Sequence, residues 1–270
     1  MFLQRAIVTL TLGPLALWLI YLGGLFYFVP IALVLLLATH EYTHIIQKSG
    51  WATSFAILSP LVALQWAAGQ WADGMWSQLA FVFAVFVVMT YGIWRYEYKQ
   101  SDKALAEWFG MLAGVVILGW LGSHFFRLRT VPDMAWQWTM LAMLATWIAD
   151  SGAYLVGKFL AGRVLGRHKM SPRTSPNKTY EGLFGGAVLG TVFTMLIGNY
   201  LGLPTGLVLV LGLSVSLLSP MGDLGMSLLK RQAGVKDSGT LFPGHGGALD
   251  RIDSLMWSVT MAYYLVVFFG

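Results

Sequence analysis

The chain has no cysteine among its 270 residues, which excludes disulfides, thiolate catalysis and cysteine-built metal centres. It is nearly as poor in charge: Asp, Glu, Lys and Arg make up 11% of it, against about 25% in a soluble domain. That deficit excludes an ordinary water-soluble globule. With 57% hydrophobic residues and a mean hydropathy of +0.68, the composition is that of an integral membrane protein. A soluble domain, a low-complexity segment and an internal repeat are also missing. The net charge of +5 is divided among separate loops, which suits loops lying against anionic lipid and argues against a nucleic-acid partner.

What the chain has in quantity is long apolar runs. They lie at roughly 6–22, 25–40, 52–70, 76–94, 105–126, 135–158, 182–201, 205–229 and 252–269. A helix needs about 20 apolar residues to cross the hydrocarbon, so the expected fold is an all-α integral membrane protein with about nine transmembrane helices. The first run follows Arg5 without a small-residue cleavage site and is expected to remain as an anchor. If Arg5 is cytoplasmic, only Arg127 and Arg129 of the 17 Lys and Arg fall on the far side. The positive-inside bias therefore predicts a cytoplasmic N-terminus and a C-terminus on the far side. Residues 1–133 read as a hydrophobic scaffold whose tryptophans sit near span ends. Residues 134–270 are interrupted by two polar loops, 158–181 and 230–251, expected to face the cytoplasm.

The second loop is the densest polar stretch. Ser227 to Asp253 holds four cations, three carboxylates, His245 and five glycines between two apolar runs. Cations bind phosphate, carboxylates bind Mg²⁺, and glycines let backbone approach a ligand. Asp223, Ser227 and Lys230 share a helical face by their spacing. Asp250 and Asp253 open the last helix, where acids also favour the helix dipole. In the first loop, Pro172 and Pro176 keep the chain extended. Lys178, Thr179 and Glu181 then stand at a helix start that suits either phosphate binding or simple capping. Asp223 and Asp250 are the candidate ligands of a divalent cation, with Asp150 as a third that balances Lys158 or joins the metal. Lys178, Lys230, Arg231, Lys236 and Arg251 would neutralise phosphates.

His40-Glu41-Tyr42-Thr43-His44 matches HExxH, a zinc-protease pattern in which Glu41 is the base. That reading leaves the C-terminal polar cluster unexplained.

The run S-x-L-K-R-x4-K-D-S-G-x-x-F-P-G-H-G-G-x-x-D-R-I-D resembles the signature of the phosphatidate cytidylyltransferase (CDP-diacylglycerol synthase) family. SPRTSPNKTYEG and DSGAY resemble two further family motifs, in the right order. The likeness in motifs covers about residues 146–253. It implies transfer of CMP from CTP to phosphatidic acid, with Mg²⁺, in a multi-span enzyme of the cell inner membrane that forms homodimers. It also implies that Asp223 and Asp250 are metal ligands and that Lys178, Lys230, Arg231 and Lys236 are catalytic. Ser175, Thr179, Glu181, Asp237, His245, Gly246, Gly247, Arg251 and Asp253 then complete the nucleotide and phosphate positions. Two departures are Ala248, where the family carries a larger aliphatic residue, and the histidines flanking Glu41. The alternatives are a cytidylyltransferase for another lipid phosphate and an intramembrane zinc protease.

Overall fold

The computed structural model describes residues 2–98, 101–239 and 246–270, with side chains from residue 11 onward. Among these residues the chain is mostly helical: α1 (Phe2–Leu22), α2 (Gly24–Lys48), α3 (Phe55–Trp71), α4 (Gly74–Glu97), α5 (Ala104–Gly114), a π-helical stretch (Val115–Leu121), α6 (Gly122–Arg129), α7 (Ala135–Phe159), α8 (Tyr180–Tyr200), α9 (Thr205–Gln232) and α10 (Leu249–Phe269). A hairpin of β1 (Lys169–Ser171) and β2 (Ser175–Thr179) precedes α8.

Every apolar run expected to be a span is helical. Seven helical segments among the described residues are long and apolar enough to cross a membrane, namely α2, α4, the rod Ala104–Arg129, α7, α8, α9 and α10. The protein is thus a multi-pass, all-α membrane protein. The other two of the expected nine fall short by that measure. α1 contributes a shorter apolar helix, Thr11–Leu22. α3, with 17 residues, spans about 25 Å at 1.5 Å per residue, below the ~30 Å of hydrocarbon.

The chain forms two compact units, Met1–Arg127 with Leu229–Ile252, and Leu128–Leu228 with Asp253–Gly270. The first unit takes in the polar segment that the sequence division grouped with the C-terminal half. In it, α3 packs on α2, α4 and the π-helical stretch. Three buried polar contacts set the register. Tyr42 donates to the carbonyl of Gly110 (2.7 Å), Trp66 Nε1 to that of Leu118 (2.7 Å) and Tyr27 to that of Phe125 (3.2 Å). In a bilayer such donors have no water to fall back on, so each aromatic is held at one depth. Near the end of α4, buried Glu107 accepts from Arg95 Nε (2.9 Å), Ser101 Oγ (2.8 Å) and the Ala52 amide (3.1 Å), tying two connectors to α5.

In the second unit α7 and α8 make the most extensive contact. Gly182, Gly186 and Gly190 fall at successive four-residue steps of α8. A methyl group on Gly186 would lie 2.7 Å from the carbonyl of Ala149 and 2.9 Å from the Ala153 Cβ. Lipid tails offer no hydrophobic drive between helices, so close backbone approach is what holds them. Thr146 donates to Ser258 Oγ (2.6 Å), which links α7 to α10.

Candidate functional site

The hairpin and α8 begin the site of the second unit. Pro172 sits in the turn and Pro176 in β2, and the chain returns to pair Lys169 with Thr179 and Ser171 with Ser175. The expected extended, turn-rich loop is therefore a short antiparallel ribbon. Thr179 then caps α8, its Oγ1 accepting from the Gly182 amide at 3.1 Å. Glu181 accepts from the His168 amide (3.1 Å) and contacts His168 Nδ1 (2.6 Å), so it braces the approach to the ribbon. The backbone thereby delivers Lys178 to one wall of a cavity of about 660 Å³.

Lys178 Nζ lies 2.6 Å from Asp223 Oδ2 and donates to the carbonyl of Pro220 at 3.3 Å. Ser227 Oγ donates to Asp223 Oδ1 at 3.1 Å, one turn further along α9. The lysine and aspartate side chains are 25% and 33% exposed, so both remain within reach of a ligand. Asp150, Lys158, Arg167 and Asn177 line the same cavity. Lys158 donates to Tyr154 Oη at 2.6 Å. The volume lies inside the usual range for small-molecule sites, about 300–1,000 Å³. Lys178, Asp223 and Asp150 are candidates by sequence, and folding adds Lys158, Arg167 and Asn177 to the same wall, a proximity that no spacing in the chain signals.

The first unit holds a second lysine–aspartate pair. Lys230, in the last turn of α9, lies 2.5 Å from Asp250 Oδ1. Asp250 Oδ2 accepts from the amides of Ser238 (2.9 Å) and Gly247 (3.0 Å). Both side chains of the pair are only 8% exposed. Gly246 has φ +81°, a left-handed turn that glycine adopts without strain, and it brings the Gly247 amide onto Asp250. Glu41, between the two histidines of α2, accepts from Ser238 Oγ (2.7 Å), Ala248 N (3.0 Å) and Leu249 N (2.9 Å).

The remaining expected residues are more dispersed. Arg231 donates to the Val235 carbonyl at 3.0 Å. Arg231, Lys236, Asp237 and Arg251 are exposed, whereas Asp253 in the second unit is buried and accepts from the Ser254 amide at 2.7 Å. Ser175 is half-buried in β2. His245 lies outside the described residues. Lys230 and Arg231 belong to α9 and not to a loop, since that helix runs to Gln232.

The HEYTH reading finds little support in this geometry. His40 and His44 are exposed, His40 in a T-shaped contact with Phe55, while Glu41 is committed to two backbone amides and the Ser238 hydroxyl. Among the described residues no three His, Asp or Glu side chains are grouped for a metal. A structural or proteolytic zinc needs such a group. Mg²⁺ does not, since it takes one or two carboxylates and completes its shell with water and phosphate oxygens.

Known proteins resemble this chain along most of its length. Residues 3–269 match the cytidylyltransferase family. A phosphatidate cytidylyltransferase of Synechocystis is 33% identical over 98% of this chain and 96% of its own length. The protein of that name from Brucella suis is 31% identical over 98% and 93%. The one from Bacillus subtilis is 36% identical over 70% of this chain and 68% of its own.

Proposed function

The chain belongs to the cytidylyltransferase family, and from that premise we propose that it transfers CMP from CTP to phosphatidic acid, yielding CDP-diacylglycerol and pyrophosphate. The lipid substrate follows the names its relatives carry. The observation that carries the reading is the cavity of the second unit, where Lys158, Arg167, Lys178, Asp150 and Asp223 gather in an otherwise apolar protein. Charges are costly among membrane helices and persist where they handle a charged ligand.

In the proposed reaction a phosphate oxygen of phosphatidic acid attacks the α-phosphorus of CTP. The new O–P bond forms as the bond from the α-phosphorus to the bridging oxygen breaks, and pyrophosphate leaves with that electron pair. The nucleophile is already an anion, so positioning and charge stabilisation replace a strong base. The obstacle is repulsion, about 4 kcal/mol per pair of unit charges at 4 Å and an effective dielectric of 20. Lys158, Arg167 and Lys178 offset it from the cavity wall. A bound phosphate competes with Asp223 for Lys178 and leaves the carboxylate free to turn toward a cation.

Asp223 and Asp150 supply the oxygen donors that Mg²⁺ requires, and both line the cavity. Asp250 is a further candidate ligand, although its oxygens here accept from Lys230, Ser238 and Gly247. Bound at such carboxylates, Mg²⁺ would neutralise phosphate charge and favour departure of pyrophosphate.

We place the enzyme in the cell inner membrane as a homodimer, with its polar loops in the cytoplasm where CTP is. The distribution of Lys and Arg supports this orientation. Pyrophosphate release by the purified protein, given CTP, Mg²⁺ and phosphatidic acid, tests the reaction. Release that depends on this lipid supports it. Release with an isoprenoid or ether lipid phosphate alone would move the substrate, and none with any lipid phosphate would overturn the proposal.

A further inference from the structure

The reaction leaves Glu41 without a part, yet few side chains of the first unit are so fully engaged. A carboxylate offers about four acceptor positions, and three of Glu41's are filled by Ser238, Ala248 and Leu249, some two hundred positions away in sequence. The Ala248 and Leu249 amides stand at the start of α10, where N–H groups have no partner within their own helix. Glu41 thus caps α10 from a different helix, and its charge sits at the positive end of the α10 dipole.

The backbone around it is shaped for the carboxylate. A Cβ on Gly247 would overlap both Glu41 and the Ser238 hydroxyl, and one on Gly239 would overlap Glu41. Glycines that read in the sequence as room for a ligand here make room for a protein side chain. Ser238 is the link to the charged pair: its hydroxyl donates to Glu41 and its amide to Asp250, which holds Lys230. Glu41, Ser238, Asp250 and Lys230 form one continuous circuit. It fastens both described ends of the polar segment between α9 and α10, at 238–239 and at 246–249.

We infer that Glu41 is a positioning residue for nucleotidyl transfer: through Ser238 and the α10 amides it sets the placement of Asp250, Lys230 and the segment that carries Lys236 and Asp237. The inference rests on the cytidylyltransferase reading, and Glu41 itself contacts no reacting atom. A carboxylate is required because both oxygens must accept. Glutamine would keep one acceptor and turn an N–H₂ toward N–H or O–H donors.

The test is Glu41→Gln in the full-length protein in detergent, read in two ways. Hydrogen exchange should quicken roughly tenfold at the amides of Ser238 and Gly247–Leu249 and stay unchanged along α2. Steady-state kinetics should show kcat/KM for CTP falling roughly tenfold or more, the usual cost of losing a partner that orients an active group. KM for phosphatidic acid should stay within about twofold. Gly247→Ala fills the seat while keeping Glu41 and should reproduce both changes, so the inference stands testable even if Glu41→Gln fails to fold. Adding Ser238→Ala to Glu41→Gln should cost no more than about a further twofold, since the two share one circuit. Unchanged exchange at 247–249 would overturn the inference. Faster exchange with unaltered CTP kinetics would overturn it too, by reducing Glu41 to a brace. A wild-type protein without CTP-dependent pyrophosphate release would instead defeat the proposed reaction and leave the exchange result as a separate matter.

Discussion

Two lysine–aspartate pairs of the same chemistry sit in opposite settings. Lys178–Asp223 lies on a cavity wall with about a quarter to a third of each side chain exposed, whereas Lys230–Asp250 is closed off at 8% each. The exposed pair has few protein partners beyond itself: Pro220 for the lysine and Ser227 for the aspartate. The buried pair has its aspartate filled by backbone amides as well as by the lysine. Burial raises both the attraction within an ion pair and the cost of breaking it, so the two pairs serve different ends. The exposed pair can be separated at little expense, as the proposed phosphate binding requires. The buried one holds a chain segment in place.

The sharpest way to break this contrast is Asp250→Asn, which leaves the Lys230 ammonium buried without its charge partner. Loss of one member of a buried pair costs about 3–5 kcal/mol. The expected outcome is a large fall in thermal stability in detergent together with loss of turnover. A double replacement, Lys230→Met with Asp250→Asn, removes the buried charge, keeps an oxygen to accept from the Ser238 and Gly247 amides, and should recover most of that stability and none of the activity. Recovery of both would show that the pair is only structural.

Asp223→Asn is expected to do the reverse. Pyrophosphate release should drop roughly a hundredfold, in line with loss of an electrostatic group at the reacting centre. The unfolding temperature should barely move, because an exposed pair contributes about 0–1 kcal/mol. A stability loss as large as that of Asp250→Asn would erase the distinction between the pairs. Lys178→Met should have a smaller effect, roughly tenfold on kcat/KM for CTP. It should also weaken the dependence of that constant on ionic strength, which separates a lost phosphate contact from misfolding. The least effect belongs to Thr179→Ala, which removes the cap of α8 at a cost of about 1 kcal/mol. Activity in that variant should survive below its lowered unfolding temperature. Rate loss without destabilisation would instead place the Thr179 hydroxyl on the substrate.

Much of the architecture was legible because apolar length is a local property. Each long hydrophobic run became a helix, and Pro172 and Pro176 marked the ribbon ahead of α8. The count of crossings did not follow in the same way, since α3 is helical yet shorter than the hydrocarbon is thick. The site was legible as an inventory of charged residues and much less as a set of contacts. Spacing placed Ser227 on the face of Asp223, and the two are hydrogen-bonded. Spacing had no means of joining Lys178 to Asp223 or Lys230 to Asp250. Glu41 shows the limit most clearly. Its neighbours in sequence suggested zinc, and its neighbours in space are the amides of α10.

Membrane residence, helical content, the absence of thiol chemistry and the kinds of group available for phosphate all follow from composition and order along the chain. They depend on what each residue is and on those a few positions away. Pairing of charges, the shape of the cavity and the commitment of glycines to a carboxylate depend on which helix faces lie together. That is settled by close backbone packing, as at Gly186 against Ala149, and by the demand that every buried donor find an acceptor. Hydrogen-bonding partners some two hundred residues apart leave no local trace in the sequence, which is why Glu41 and Leu249 meet only in the folded protein.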